Sequence, residues 1–77
     1  MRNYNIDIKR NIRQLMKEHK PEIKQKTLVD ITGLTQSNVS KCLSEEHKNR
    51  FTLDQLIAIA DYFEVSLDSL IGRNLDN

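Results

Sequence analysis

The sequence is poor in cysteine, proline, glycine and aromatic residues, and it has no long apolar run. Its single cysteine, Cys42, cannot form an internal disulfide, which excludes a disulfide-stapled secreted scaffold and suits the reducing cytoplasm. The longest apolar run, residues 56–60, spans five residues, too few for a secretion signal or a membrane span. A chain of 77 residues makes one domain at most, with little room for a deep catalytic cavity.

Helix is the expected structure, because the chain holds only one proline and two glycines to interrupt it. We predict an all-α domain of five helices, with a core over residues 6–72 and a loose tail over residues 73–77. The first helix is expected over residues 6–19 and is ended by Pro21. Its inward face is predicted to hold Ile8, Ile12, Leu15, Met16 and a partly buried His19.

Residues 25–43 read QKTLVDITGLTQSNVSKCL, which predicts two short helices joined by a tight turn. Gly33 can take the left-handed conformation that ends a helix, and Thr35 is the expected N-cap of a third helix over residues 36–43. A helix-turn-helix also needs apolar residues where its two helices meet. In this segment the residues expected to meet that requirement are Leu28, Val29, Leu34, Val39 and Cys42. Helical phasing places short or amide side chains on the opposite face: Gln36, Ser37, Ser40 and Lys41.

Two capped helices are predicted after the polar connection over residues 44–51. Thr52 is expected to cap the fourth helix, with Gln55 completing a capping box. Ser66 is expected to cap a short fifth helix that ends at Gly72. The buried stripe of the fourth helix is predicted to consist of Leu53, Leu56, Ile57, Ala60 and Phe63.

Together these segments resemble the phage repressor/Cro-type (XRE-like) helix-turn-helix family, over roughly residues 8–72. That family has a glutamine, a glycine and an aliphatic residue at set places in its motif, occupied here by Gln25, Gly33 and Val39. Residues 52–72, TLDQLIAIADYFEVSLDSLIG, are similar to the end of the family's helical core. The resemblance implies a five-helix bundle of the lambda-repressor-like DNA-binding type.

The chain departs from the family's pattern at three places. Val29 stands where the family usually has an alanine, so a slightly wider crossing of the two helices is expected. Lys24 stands where the family has a serine or threonine that caps the motif's first helix. Met16 occupies a place where the family often has an arginine paired with an acidic residue, and that ion pair is not carried over.

The resemblance also implies a sequence-specific regulator that binds double-stranded DNA and is not an enzyme. The third helix would enter the major groove, where an amide such as that of Gln36 can bond bidentately to adenine. The residues expected to contact bases are Gln36, Ser37, Ser40 and Lys41. The residues expected to contact phosphates are Gln25, Asn38, Lys48, Asn49 and Arg50.

The net charge of +1 conceals an uneven distribution. Residues 1–50 hold eleven Lys and Arg against six Asp and Glu, whereas residues 51–77 hold one against five, so the segments carry +5 and −4. This asymmetry is a weak indication of a polyanionic partner, because an unevenly charged solvated surface explains it at least as well. Long-range attraction to DNA is expected from Arg13 and a group of lysines, with Glu45 and Glu46 pointing away. The lysines are Lys17, Lys20, Lys24 and Lys26.

One recognition helix reads only a few base pairs, so a homodimer on a pseudo-palindromic operator is expected. Its contact surface is predicted within residues 66–75, where Leu67 and Leu75 are little used by the core. A repressor of phage or mobile-element type in a bacterium is the leading interpretation. Two alternatives stay open: an antitoxin that also binds a toxin, and a protein-interaction module that has lost DNA binding. A toxin or an anti-repressor is a possible protein partner.

No cofactor, metal or catalytic site is expected. His19, His47 and Cys42 do not have a metal-ligand spacing. Cys42 lies on an apolar helix face, which favours an inert core thiol over a nucleophile. The sequence has no glycine-rich phosphate loop and no nucleophile elbow.

Overall fold

The computed structural model describes residues 3–72, in which five helices are joined by short connections. The helices are α1, Tyr4–Glu18; α2, Gln25–Thr32; α3, Gln36–Leu43; α4, Leu53–Phe63; and α5, Leu67–Ile71. Helix α1 packs against α3 and α5, α4 packs against α2 and α5, and α2 packs against α3. All regular structure in this part of the chain is helical, which confirms the predicted all-α bundle with α2 and α3 as its helix-turn-helix.

Short polar side chains begin four of the five helices. The Asn3 side chain accepts a hydrogen bond at the start of α1, which therefore begins two residues earlier than predicted. The predicted capping box of Thr52 and Gln55 is present at α4. Lys24 precedes α2 without a side-chain cap. The predicted caps of α3 and α5 are confirmed at Thr35 and Ser66.

The turn between α2 and α3 depends on Gly33. Its φ of 76° lies in the left-handed region, and its N–H donates to the Val29 carbonyl at 2.9 Å. A side chain at this φ brings the Cβ close to the following carbonyl oxygen, so glycine is the favoured residue. The Thr32 hydroxyl then accepts a hydrogen bond from the Leu34 N–H at 3.2 Å. The left-handed residue redirects the chain within three positions and brings α3 back across α2.

Apolar side chains from all five helices meet in one core. Leu28 of α2 and Val39 of α3 are both fully buried, which holds the two motif helices together. Full burial of one such side chain contributes about 1.5–3 kcal/mol to folding. Phe51, which closes the connection after α3, is also buried. The other buried apolar residues are Ile12, Met16, Ile23, Cys42, Leu43, Leu56, Ile59, Ala60 and Leu70.

The predicted buried stripe of α4 was wrong at two positions. Leu53 is 62% exposed and Ile57 is 41% exposed, whereas Ile59 is fully buried. Residues 56–60 are all apolar, so the sequence pattern alone does not determine which of them face inward. Packing against α2 and α5 selects Leu56, Ile59 and Ala60, with Phe63 partly buried.

His19 was also misplaced by the sequence pattern. Helix α1 ends at Glu18, and His19 has an extended backbone with φ −66° and ψ 143°. Its side chain therefore no longer follows the inward face of α1, and it is exposed. The imidazole instead lies beside Tyr62 and Phe63 of α4, with ring centroids 6.3 and 6.0 Å away.

The predicted dimer surface is only partly within the described residues. Leu67 packs partly buried against the core, so it is more used by the fold than the sequence indicated. Leu75 and the tail over residues 73–77 lie outside the described residues. Within residues 3–72, none of the helices is both long and apolar enough to span a membrane.

We predict that Gly33→Ala destabilises the domain by about 1 kcal/mol, because the alanine Cβ is strained at positive φ. A Cβ at Gly33 would meet no atom within 4 Å, so the loss would come from the backbone alone. Gly33→Asn is the matched control and should cost less, since asparagine tolerates this conformation better. Urea unfolding followed by circular dichroism measures both. Equal losses for the two variants would contradict the backbone explanation.

Candidate nucleic-acid interface

Helix α3 presents a polar face because its apolar face is buried. Val39, Cys42 and Leu43 are buried against the core, as predicted. The four side chains expected to contact bases are all exposed: Gln36, Ser37, Ser40 and Lys41. Gly33 and the Thr35 cap determine where α3 begins, so its outward residues have a defined position relative to α2.

A hydrogen bond links the glutamines that open α2 and α3. The Gln36 Nε2 donates to Gln25 Oε1 at 2.7 Å, although the two residues are eleven positions apart. This bond uses one N–H of Gln36 and leaves its other N–H and its carbonyl oxygen available to a ligand. Of the predicted contact residues, these are the two that the structure joins by a hydrogen bond. Both glutamines were predicted contact residues, but no sequence pattern indicates the bond between them.

The other predicted contact residues are exposed, and their side chains make no hydrogen bond or ion pair with groups in residues 3–72. The Asn38 backbone N–H donates to Thr35 Oγ1 at 3.1 Å, while its side chain stays at the surface. Residues 48–50 form an irregular segment between the turn after α3 and the buried Phe51. We call residues 48–50 the basic loop, because it carries Lys48 and Arg50 on either side of Asn49.

Lys9 of α1 is a buried cation that the sequence analysis did not identify. Its side chain is 1% exposed, and its Nζ donates to three backbone carbonyls at the end of α3 and in the next turn. The acceptors are the oxygens of Lys41 at 3.3 Å, Ser44 at 2.5 Å and His47 at 2.6 Å. Lysines usually lie at the surface, so nothing in the sequence around Lys9 indicates that its side chain is buried.

Burial lowers the pKa of the Lys9 ammonium, and the nearby positive charges of Arg13 and Arg50 lower it further. The carboxylate of Glu45, and Cys42 in its thiolate form, act in the opposite direction. The three carbonyl acceptors need three N–H donors, which only the charged ammonium provides. A cation at a helix C-terminus is also favoured by the helix dipole. The hydrogen bonds to these carbonyls therefore stabilise the charged form of Lys9, which burial alone would disfavour.

Glu45 accepts hydrogen bonds from two arginines of α1. Arg10 contacts it through two nitrogens, at 2.9 and 2.8 Å, and the Arg13 Nη2 lies 2.7 Å from its Oε2. The hydrogen bonds from Arg10 are the main reason that the pKa of Glu45 lies below its ordinary value. Arg13, which was predicted to attract DNA at long range, shares the single carboxylate of Glu45 with Arg10, and its role toward DNA stays a prediction.

An open groove beside the N-terminus of α2 also gathers cations. Its volume is about 770 Å³, and its lining includes Lys17 and Lys24 together with Arg10 and Arg13. Lys24 lies 3.6 Å from Glu22, and both arginines are paired with Glu45. Glu22 and Glu45 thus supply two negative charges against the four positive charges of these cations, so half of the positive charge along this groove is compensated.

The Cys42 thiol is buried, and desolvation raises its pKa, although the charge of Lys9 lowers it in part. A high pKa and low exposure both reduce the reactivity of a thiol. Among residues 3–72 there is no group of three or more His, Cys, Asp or Glu side chains placed to hold a metal ion.

We predict that iodoacetamide alkylates Cys42 at least about a hundredfold more slowly in the native protein than in urea, because the thiol must first be exposed by opening of the fold. Mass spectrometry of timed samples gives both rates. A Ser40→Cys variant in a Cys42→Ala background is the control, and its exposed thiol should react about as fast with or without urea. A native Cys42 rate equal to that of the control would contradict the buried position.

The comparisons with known proteins agree with this geometry. The chain matches the Cro/C1-type HTH DNA-binding domain over residues 11–76, which includes the second half of α1 and all of α2 to α5. No match was found among curated proteins or among solved structures. Because the match covers most of the sequence and includes the helix-turn-helix, the chain belongs to the Cro/C1-type HTH DNA-binding family.

Proposed function

We propose that this protein is a sequence-specific transcriptional regulator, of the repressor type found in phages and mobile elements, that reads the DNA major groove with α3. The observation that carries the proposal is the hydrogen bond between Gln25 and Gln36, on a polar face whose other predicted contact side chains have no partner within residues 3–72. A base-reading side chain must be held in one orientation to discriminate between bases. Such a protein acts where the DNA is, in the cytoplasm of a bacterium.

The outward residues of α3 supply the chemistry for direct readout. Gln36 retains a donor and an acceptor and is the first candidate to contact adenine. Lys41 has a flexible ammonium that suits a guanine edge or a phosphate. Ser37 and Ser40 are short enough to let the helix approach the bases while offering a hydroxyl each.

Phosphate contacts would flank this readout on both sides. Gln25 lies at the N-terminus of α2, where backbone N–H groups and the helix dipole favour an anion. Asn38 is exposed on the first turn of α3 and would contribute a side-chain amide. The basic loop would bind the backbone beyond the other end of α3 through Lys48, Asn49 and Arg50.

A homodimer would read two half-sites of a pseudo-palindromic operator about 34 Å apart. We place its contact surface in the C-terminal region, residues 66–75, as the sequence analysis predicted. The acidic charge of residues 51–77 would keep this region away from DNA, because the DNA backbone is itself negative. The function so proposed is binding and regulation without catalysis.

The test begins by selecting bound duplexes from a random-sequence pool, which supplies the preferred site. Gln36→Ala should then lose about 1–3 kcal/mol of binding free energy on that site and little on a scrambled duplex. Arg50→Ala should weaken binding to both duplexes alike, because phosphates carry no sequence information. Fluorescence anisotropy titrations measure both variants.

Gln14→Ala is the matched control, since Gln14 is an exposed glutamine on α1 that bonds to Glu18 outside the proposed contact set. It should bind both duplexes as wild type does. If wild type shows no affinity for duplex DNA at low salt, the proposal fails, and the protein-interaction alternative takes its place.

A further inference from the structure

We propose that Lys9 is a positioning residue for DNA binding. From the buried side of α1 it holds the turn over residues 44–47 and thereby determines where the basic loop presents its phosphate contacts. This inference rests on the proposed function, and it assigns a role to a side chain that cannot itself reach DNA. Lys9 is 1% exposed, so any effect of its charge on a phosphate must pass through the residues it holds.

The acceptors of Lys9 lie along the path from the recognition helix to the basic loop. Lys41 belongs to the last turn of α3, Ser44 is the residue just beyond that helix, and His47 directly precedes the loop. The Lys9 ammonium thus links α1 by hydrogen bonds to three places along this segment. The His47 N–H also donates to the Ser44 carbonyl at 3.3 Å, which closes the turn on itself.

The basic loop depends on these anchors because it has no hydrogen bonds of its own to the described part of the chain. Residues 48–50 make neither backbone nor side-chain hydrogen bonds with groups in the described part of the chain. One end of the loop is fixed by Lys9 at His47, and the other by the buried ring of Phe51. Removing the first anchor would leave a short segment attached firmly at one end only.

Lys9 and Arg50 are also close to each other. Both line a small cavity of about 170 Å³, with Cys42 and Phe51 in its wall. The like charges repel, which favours an Arg50 guanidinium directed away from the buried ammonium. Lys9 therefore acts on Arg50 in two ways, through the backbone at His47 and through charge.

The surface of α1 supports the same turn from outside. Arg10 and Arg13 both hold Glu45, which lies between the Ser44 and His47 carbonyls that Lys9 binds. Two exposed cations and one buried cation of α1 therefore act on a four-residue turn. The exposed ion pairs offer a way to disturb the turn without changing the core.

The test is a double-mutant cycle of Lys9→Met and Arg50→Ala, with binding to a fluorescein-labelled duplex of mixed sequence measured over a range of salt concentrations. Methionine keeps an unbranched side chain, one atom shorter than that of lysine, but donates no hydrogen bond. We expect Arg50→Ala to weaken the wild-type protein about tenfold and the Lys9→Met protein less than about threefold. Lys9→Met alone should reduce the slope of log affinity against log salt concentration. The reduction should match the loss of about one phosphate contact.

Lys17→Met is the control for charge, because it removes the same charge from an exposed position on the same helix. It should leave the effect of Arg50→Ala at about tenfold, since separate sites contribute additively. If Arg50→Ala weakens the folded Lys9→Met protein as much as it weakens wild type, the positioning role is overturned. If wild type shows no salt-dependent binding, the proposed function itself fails, and the two failures are thus distinguished.

Lys9→Met leaves three carbonyls without their donor and can prevent folding, which circular dichroism would reveal. In that case the cycle is made with Glu45→Gln, which disturbs the same turn from the surface. Charge alone predicts tighter DNA binding when a carboxylate is removed, whereas a displaced loop predicts weaker binding. Binding weakened about threefold, with a reduced effect of Arg50→Ala, supports the proposal. Tighter binding with an unchanged effect of Arg50→Ala overturns it.

Discussion

The packing of α2 against α3 across Gly33 is the constraint on which the rest of the interface depends. Leu28 and Val39 are fully buried, so the rotation of each helix about its own axis is determined by the core. The left-handed Gly33 then sets the turn between them. Once these are in place, Gln36 must lie beside Gln25, and the polar side of α3 must face outward. The position of every proposed base contact follows from apolar packing on the opposite face.

Local signals were sufficient to predict most of this arrangement. The caps at Thr35, Thr52 and Ser66 and the end of α2 at Gly33 are properties of a few neighbouring residues, and all were confirmed. The polar face of α3 was equally predictable, because a short helix with three inward apolar residues has only one phase that buries them. The roles of these residues toward DNA stay predictions until binding is measured.

What could not be predicted depends on contacts between distant parts of the chain. The phase of α4 was ambiguous because residues 56–60 are all apolar, and only packing against α2 and α5 selects Ile59 over Ile57. Lys9 was missed because its partners are backbone carbonyls more than thirty positions away, which no side-chain pattern reports. His19 was misplaced because helical phasing was extended one residue beyond the end of α1.

The positive charges of residues 1–50 lie in different surroundings, which their sum along the sequence does not show. The +5 of residues 1–50 includes Lys9, which is buried, and Arg10 and Arg13, which are paired with Glu45. These charges contact the turn after α3, while Lys48 and Arg50 of the basic loop make no ion pair with groups in residues 3–72. A count of charges along the sequence cannot separate the two groups, because both contribute equally to the total.

The central claim is that one face, formed by Gln25, the outward side of α3 and the basic loop, contacts DNA. Amide NMR spectra of the labelled protein, recorded while duplex DNA is added at low salt, test it most directly. The account predicts that the largest shift changes occur at Gln25, residues 36–41 and residues 48–50, with little change at Ile57 and Tyr62 on α4. Large changes on α4 and α5, with α3 and the basic loop unaffected, would contradict it.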